Sequence, residues 1–154
     1  MQCKHSLSIV VMMSMMDVKT YSELILLPTF EERFEYLKLS GVVGQDTFGY
    51  DRYLNQYLYH VDRDWKRARD RAIIRDNGCD LAMDGYIIYD RILVHHINPI
   101  TVDDIKLRRP GVFDLNNLIC VSLRTHNAIH YGDINQLATV SIERTPNDTC
   151  PWKH

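Results

Sequence analysis

The sequence predicts an α+β fold, and three observations predict it. Segments of strand character lie at 86–89, 91–95 and 118–121, stretches with a helical apolar period flank them on both sides, and glycines mark the turns. A chain of 154 residues fits one domain with enough material for a core. Its 45% apolar and 25% charged fractions place it in the ordinary soluble class. A net charge of −2 argues against indiscriminate adhesion to nucleic acid, so any DNA contact has to rest on a local basic patch.

From the N-terminus, Leu7–Met16 is an apolar run of ten residues behind Lys4 and His5. Ten residues cannot span a bilayer, and no small-residue cleavage site follows, so no membrane association is expected. With methionines at 12, 13, 15 and 16, residues 1–16 read as an upstream start extension with little structure. A helical N-terminal arm is expected over 17–49. Thr20-x-x-Glu23 and Thr29-x-x-Glu32 have the form of capping boxes, in which a hydroxyl and a carboxylate satisfy each other's backbone donors. The second opens a helix whose Phe30, Phe34 and Leu37 share a face and which should stop near Gly41. Pro28 separates the two segments, and 40–49, with three glycines, reads as a loop.

Residues 50–59 are expected to be helical, with Tyr53 and Tyr57 one turn apart. Such rings could stack on bases or sugar, but packing within the domain is their commoner fate. In the next helix Arg63, Arg67, Arg71 and Arg75 recur every four residues, with Lys66 and Arg69 nearby, while Trp65, Ala68, Ala72 and Ile73 turn inward. The stripe has two readings: a face for DNA phosphates, or a solvated face balanced by Asp62, Asp64 and Asp70. Gly78 and Gly85 bracket a turn before the strands. Lys106, Arg108 and Arg109 form a second basic group in a long loop, and Ser122 or Thr125 can cap the helix after 118–121. The tail from Ile134, with Pro146, Pro151 and Trp152, is expected to wrap the surface. Cysteines at 3, 79, 120 and 150 lack the spacing of a disulfide framework, and a reducing cytoplasm is the simpler home.

The histidines carry the chemistry. Four of the seven lie between positions 95 and 130. Residues four apart on a helix share a face, so His126 and His130 can offer their imidazoles to one ion. Successive strand residues face opposite ways, so of His95 and His96 only one can join them. A site with three protein ligands and open positions is the catalytic type, and the remaining histidine is then a candidate general base.

The order His95-His96, Asp114-Leu115-Asn116-Asn117-Leu118 and His126-Asn127-Ala128-Ile129-His130 resembles the HNH endonucleases, whose fold is a β-hairpin followed by a helix around one metal ion. The nine-residue step from Asn117 to His126 and the four-residue step to His130 fit members with three metal-binding histidines, such as the colicin DNases. The flanking text, from Trp65-Lys66-Arg67 through Asn77-Gly78-Cys79-Asp80-Leu81 to His130-Tyr131-Gly132-Asp133, is similar to HNH proteins of bacteriophages and prophages. The motif covers 91–133, within a nuclease domain expected over 50–154. The resemblance implies a ββα-metal core with His95, His126 and His130 as metal ligands, His96 as general base, and Asn117 either steadying the loop that holds the base or approaching the metal. The paired Cys-x-x-Cys knuckles of many members are missing, so one metal is expected rather than two.

The resemblance further implies hydrolysis of a DNA phosphodiester with one divalent ion, leaving 5′-phosphate and 3′-hydroxyl ends. Arg63, Lys66, Arg67, Arg71 and Arg75, with Lys106, Arg108 and Arg109, are the expected DNA contacts. Three imidazoles suit zinc, nickel or manganese, whereas magnesium prefers oxygen, so the ion bound and the ion used (magnesium or manganese) can differ. Double-stranded DNA is the expected partner, with a phage terminase among the protein partners to consider, in the cytoplasm of a bacterial host. A monomer or homodimer is expected. The alternative is an inactive, metal-stabilised DNA-binding or packaging accessory protein. A nuclease acting on RNA is the weaker third reading, since nothing resembles a base-stacking RNA module.

Overall fold

The computed structural model describes residues 18–39, 51–82 and 86–137. The expected start extension, the glycine-rich segment at 40–49, Gly85 and the tail beyond 137 lie outside the described residues. The α+β class holds: short helices surround one two-stranded antiparallel sheet.

Capping chemistry sets the first two helices. In α1 (Tyr21–Leu24) the Thr20 side chain accepts from Glu23 N, but the Glu23 carboxylate turns to the Tyr36 hydroxyl, so only half of that box forms. In α2 (Phe30–Leu37) both halves of the Thr29/Glu32 box are present. The helix stops at Leu37, before Gly41, because Lys38 leaves helical geometry and Leu39 N–H is drawn to Ile129 O at 2.9 Å. The expected tyrosine-rich helix is split into α3 (Arg52–Gln56) and a π-helical turn (Tyr57–Val61). Asp62 ends that turn and caps α4 (Arg63–Arg75), its carboxylate accepting from Asp64 N and Trp65 N at 2.9 Å each.

Strand β1 (Leu93–His96) pairs with β2 (Leu118–Val121), in register Leu93↔Val121, Val94↔Cys120, His95↔Ile119 and His96↔Leu118. The expected strand at 86–89 is corrected to a clip. Cys79 and Ile87 form an isolated bridge, with Asp80 N–H to Tyr86 O at 2.8 Å and Ile88 N–H to Gly78 O at 3.1 Å. Within 86–89 only Ile88 is buried, so no second face asks for a longer ladder. Between the strands run α5 (Val102–Lys106), opened by a Thr101/Asp104 capping box, and two 3₁₀ turns at 110–112 and 115–117. Helix α6 (Leu123–Tyr131) follows β2 directly, with Ser122 as its N-cap.

The strands are covered on both faces, which explains the unbroken apolar text of β2. Alternation sends Leu118 into a core with Trp65, Ala68 and Ala72 of α4, together with Ile100, Ile105 and Val112. Ile119 and Val121 go the other way, to Ile97, Ile129 of α6, and Leu24 and Leu37 of the arm. The arm therefore supplies core residues rather than standing beside the domain. Two buried carboxylates lock the layers. Asp76 takes Cys120 N–H at 2.9 Å while paired with Arg75, and Asp80 takes Ser122 N–H at 2.9 Å as well as the Thr125 hydroxyl. Among the described residues no helix is long and apolar enough to cross a membrane.

Candidate metal centre

The direction of β1 and the start of α6 bring three imidazoles together. His95 shares the β1 face of Leu93, which packs in the α6-side core. Ser122 and Asp80 fix the first turn of α6, and a four-residue step then stacks His126 and His130 on one face. Ring centroids are 5.4 Å apart for His95–His126, 5.0 Å for His95–His130 and 4.3 Å for His126–His130. One nitrogen of each lies within 4.8 Å of the others, so the group can hold a metal ion.

Two further observations fit an ion at that point. Among the described residues His95 Nε2 is buried without a hydrogen-bond partner, a costly state for a polar atom unless something else binds it. Burial, reinforced by the neighbouring His130, His126 and His96, holds His95 well below the ordinary imidazole range. Burial likewise lowers His126, and with His126 beside it brings His130 down to about 4. Each ring is thus kept neutral at pH 7, the form with a lone pair for a cation.

His96 faces the opposite way, as strand alternation requires. Its ring stacks on Trp65 of α4, with centroids 5.1 Å apart and planes at 27°, and its Nε2 lies 3.0 Å from Val112 O. A carbonyl only accepts, so Nε2 carries the proton and Nδ1 keeps the lone pair. The residue is only 6% exposed, and burial brings it down to about 4 against the Val112 hydrogen bond. The histidine expected as general base is thus a buried ring closed in on one face by an indole.

Asn117 bonds within the loop that also supplies the Val112 carbonyl. Its Nδ2 donates to Gly111 O at 2.8 Å, one residue before the carbonyl that holds His96, and its Oδ1 accepts from Asn98 N at 2.8 Å. Asn117 therefore brackets the loop between the strands.

The basic residues divide. Arg63, Lys66, Arg67 and Arg71 are exposed on the outer side of α4, Arg67 being 3.6 Å from Asp64. Arg75 is corrected: its guanidinium grips Asp76, donates to the carbonyls of Leu115 and Leu118, and lies 3.5 Å over the Tyr21 ring, so it serves the fold. Arg108 is held by Asp62 and Asp64 and lies over Phe113, and Arg109 meets Asp104 at 3.1 Å; both are committed to carboxylates rather than free for phosphate. Lys106 is exposed. Of the inward residues, Trp65, Ala68 and Ala72 are buried and Ile73 is half-buried.

Trp65, Asp80 and Asn98 bear on the site without having been singled out for it. Trp65 was legible as an inward residue, but its partner is 31 positions away. Asp80 and Asn98 carry no local signal, because buried and exposed polar residues in turns are spelled alike. Compared with family models, curated proteins and solved structures, the chain matches none.

Proposed function

We propose that the chain is a metal-dependent DNA endonuclease of the HNH type, with β1, β2 and α6 as its ββα-metal core. The observation that carries this reading is the opposition of two adjacent histidines. His95 joins His126 and His130 around one point, while His96 turns away with its tautomer fixed by Val112 and its loop bracketed by Asn117.

A divalent ion held by the three imidazoles would act as a Lewis acid on the scissile phosphate. His96 works through Nδ1, since Nε2 is occupied, and burial keeps the ring unprotonated at neutral pH, the form in which a base begins. Asn117 positions this base through the loop. Arg63, Lys66, Arg67 and Arg71 offer phosphate contacts on the outer side of α4, whose inner residue Trp65 stacks on the base. Nitrogen ligands favour zinc, nickel or manganese for binding, and magnesium or manganese remain the ions to test for cleavage.

Supercoiled plasmid incubated with each of these ions tests the proposal. The wild-type chain should give open-circle or linear DNA, and His96→Ala should give none while retaining metal affinity and fold. Cleavage retained by that variant rejects His96 as the base. The burial of His96 under Trp65 favours a second reading, a metal-stapled DNA-binding or packaging protein that does not cut. Such a protein retards the plasmid band and leaves it supercoiled.

A further inference from the structure

We infer that Asn98 is a positioning residue through which the N-terminal segment sets the loop that holds His96; this rests on His96 being the base of the proposed nuclease. The Asn98 side chain binds the Lys19 backbone as a neighbouring strand would. Its Oδ1 accepts from Lys19 N at 3.0 Å and its Nδ2 donates to Lys19 O at 2.7 Å. The same Nδ2 donates to Asn117 Oδ1 at 2.7 Å, beside the bond of 2.8 Å from the Asn98 backbone. From Asn117 the connection continues to Gly111 O and, one residue on, to the Val112 carbonyl on His96.

A second tether runs in parallel, Ser22 donating through N at 3.2 Å and Oγ at 3.0 Å to Asn116 Oδ1. Segment 19–22 thus reaches both consecutive asparagines of the turn before β2, Asn116 directly and Asn117 through Asn98, across 79 and 94 positions of sequence. Its backbone is anchored in turn by Tyr36, whose hydroxyl accepts from Thr20 N at 2.7 Å. Only an amide meets the demands at position 98. A carboxylate keeps the bond to Lys19 N–H but sets an oxygen against two other oxygens, Lys19 O and Asn117 Oδ1, and alanine removes all the side-chain bonds.

The test uses the whole chain and its Asn98→Ala and Asn98→Asp variants, with zinc as the probe of metal affinity and each of the proposed ions in the cleavage assay. Plasmid nicking should lose roughly 10- to 100-fold in kcat, the scale of a catalytic group displaced by about 1 Å, with KM for DNA and zinc affinity unchanged. In ¹⁵N-histidine-labelled protein the His96 Nε2–H proton, protected by Val112 in the wild type, should exchange faster with solvent in both variants. Wild-type kcat and proton exchange in Asn98→Ala overturn the assignment, as does loss of zinc affinity in step with kcat, which marks a merely structural residue. Where alanine fails to fold, aspartate, of nearly the same shape, decides on the same measurements. If the wild-type chain nicks no DNA with any ion, the nuclease reading falls by itself. The proton exchange of His96 then still decides whether Asn98 holds that ring.

Discussion

Removing one imidazole of the proposed three leaves two candidate ligands. The loss should exceed the roughly 10- to 100-fold that deleting a supporting hydrogen bond to a metal ligand costs. His130→Ala is the variant of choice, because the residue sits in the last turn of α6 and is half-buried, so the fold can absorb its loss. Zinc titration by calorimetry should show affinity falling by more than about 100-fold with the helical circular dichroism intact. An unchanged affinity would remove His130 from the ligand set. At the same scale, the two facts that matter most could be read from text: a four-residue step puts His126 and His130 on one side, and alternation parts His95 from His96. Both are rules of local geometry and need no knowledge of the partner. The fate of Arg75 could not be read, since its partners Leu115 and Leu118 are 40 and 43 positions away and a carbonyl has no signature in sequence.

An element has to begin and end in the right place for its side chains to meet, and α6 shows how. Its start was legible as Ser122 or Thr125, of which Ser122 is the cap; its end depends on Gly132, which has a φ of +65° and closes the helix to Ala128 O and Ile129 O. A Cβ at that position would also lie 2.7 Å from Leu39 O, the residue whose N–H bonds Ile129 O. Gly132→Ala therefore incurs left-handed strain and a backbone clash together, for a loss of roughly 2–3 kcal/mol. Urea unfolding should show the midpoint moving to lower concentration at unchanged slope; a shift equivalent to less than about 0.5 kcal/mol would mean that the arm yields to the new methyl. At the other end Asp80 ties Ser122 N–H and the Thr125 hydroxyl. Asp80→Ala strands these two donors and Ala82 N–H, which the same carboxylate takes at 3.1 Å, and should cost roughly 2–4 kcal/mol by the same assay. Sequence missed this residue for a physical reason: an aspartate next to a turn is usually solvated, and only the fold reveals that 1% of it is exposed. The missing strand at 86–89 has a similar cause, for its residues suit a strand but among the described residues they form a single isolated bridge, Cys79 with Ile87.

Across the whole molecule, the loop between the strands is held from three sides, by Asn117, by the arm through Asn98, and by Arg108 on the cap of α4. Arg108 adopts a φ of +49°, a strained state for a residue with a Cβ, while its guanidinium meets Asp62 and Asp64. The ion pair offsets that strain only while the carboxylates are charged. Burial raises the Asp62 pKa, but the Arg108 bonds, with the Trp65 and Asp64 N–H groups, outweigh it and leave the carboxyl below its ordinary value. A folded-state pKa below the unfolded one contributes stability that is complete above the unfolded value and lost as pH falls through the folded one. Arg108→Gln should therefore be less stable than the wild type by roughly 1–3 kcal/mol at pH 7. The gap should narrow as pH drops through the carboxylate range, from about 4 downward, until the two chains unfold alike. Thermal melts across pH, with metal chelated so that ligand binding does not enter, measure this gap. A difference that persists undiminished below about pH 3 would show that Arg108 acts by packing on Phe113 rather than by charge.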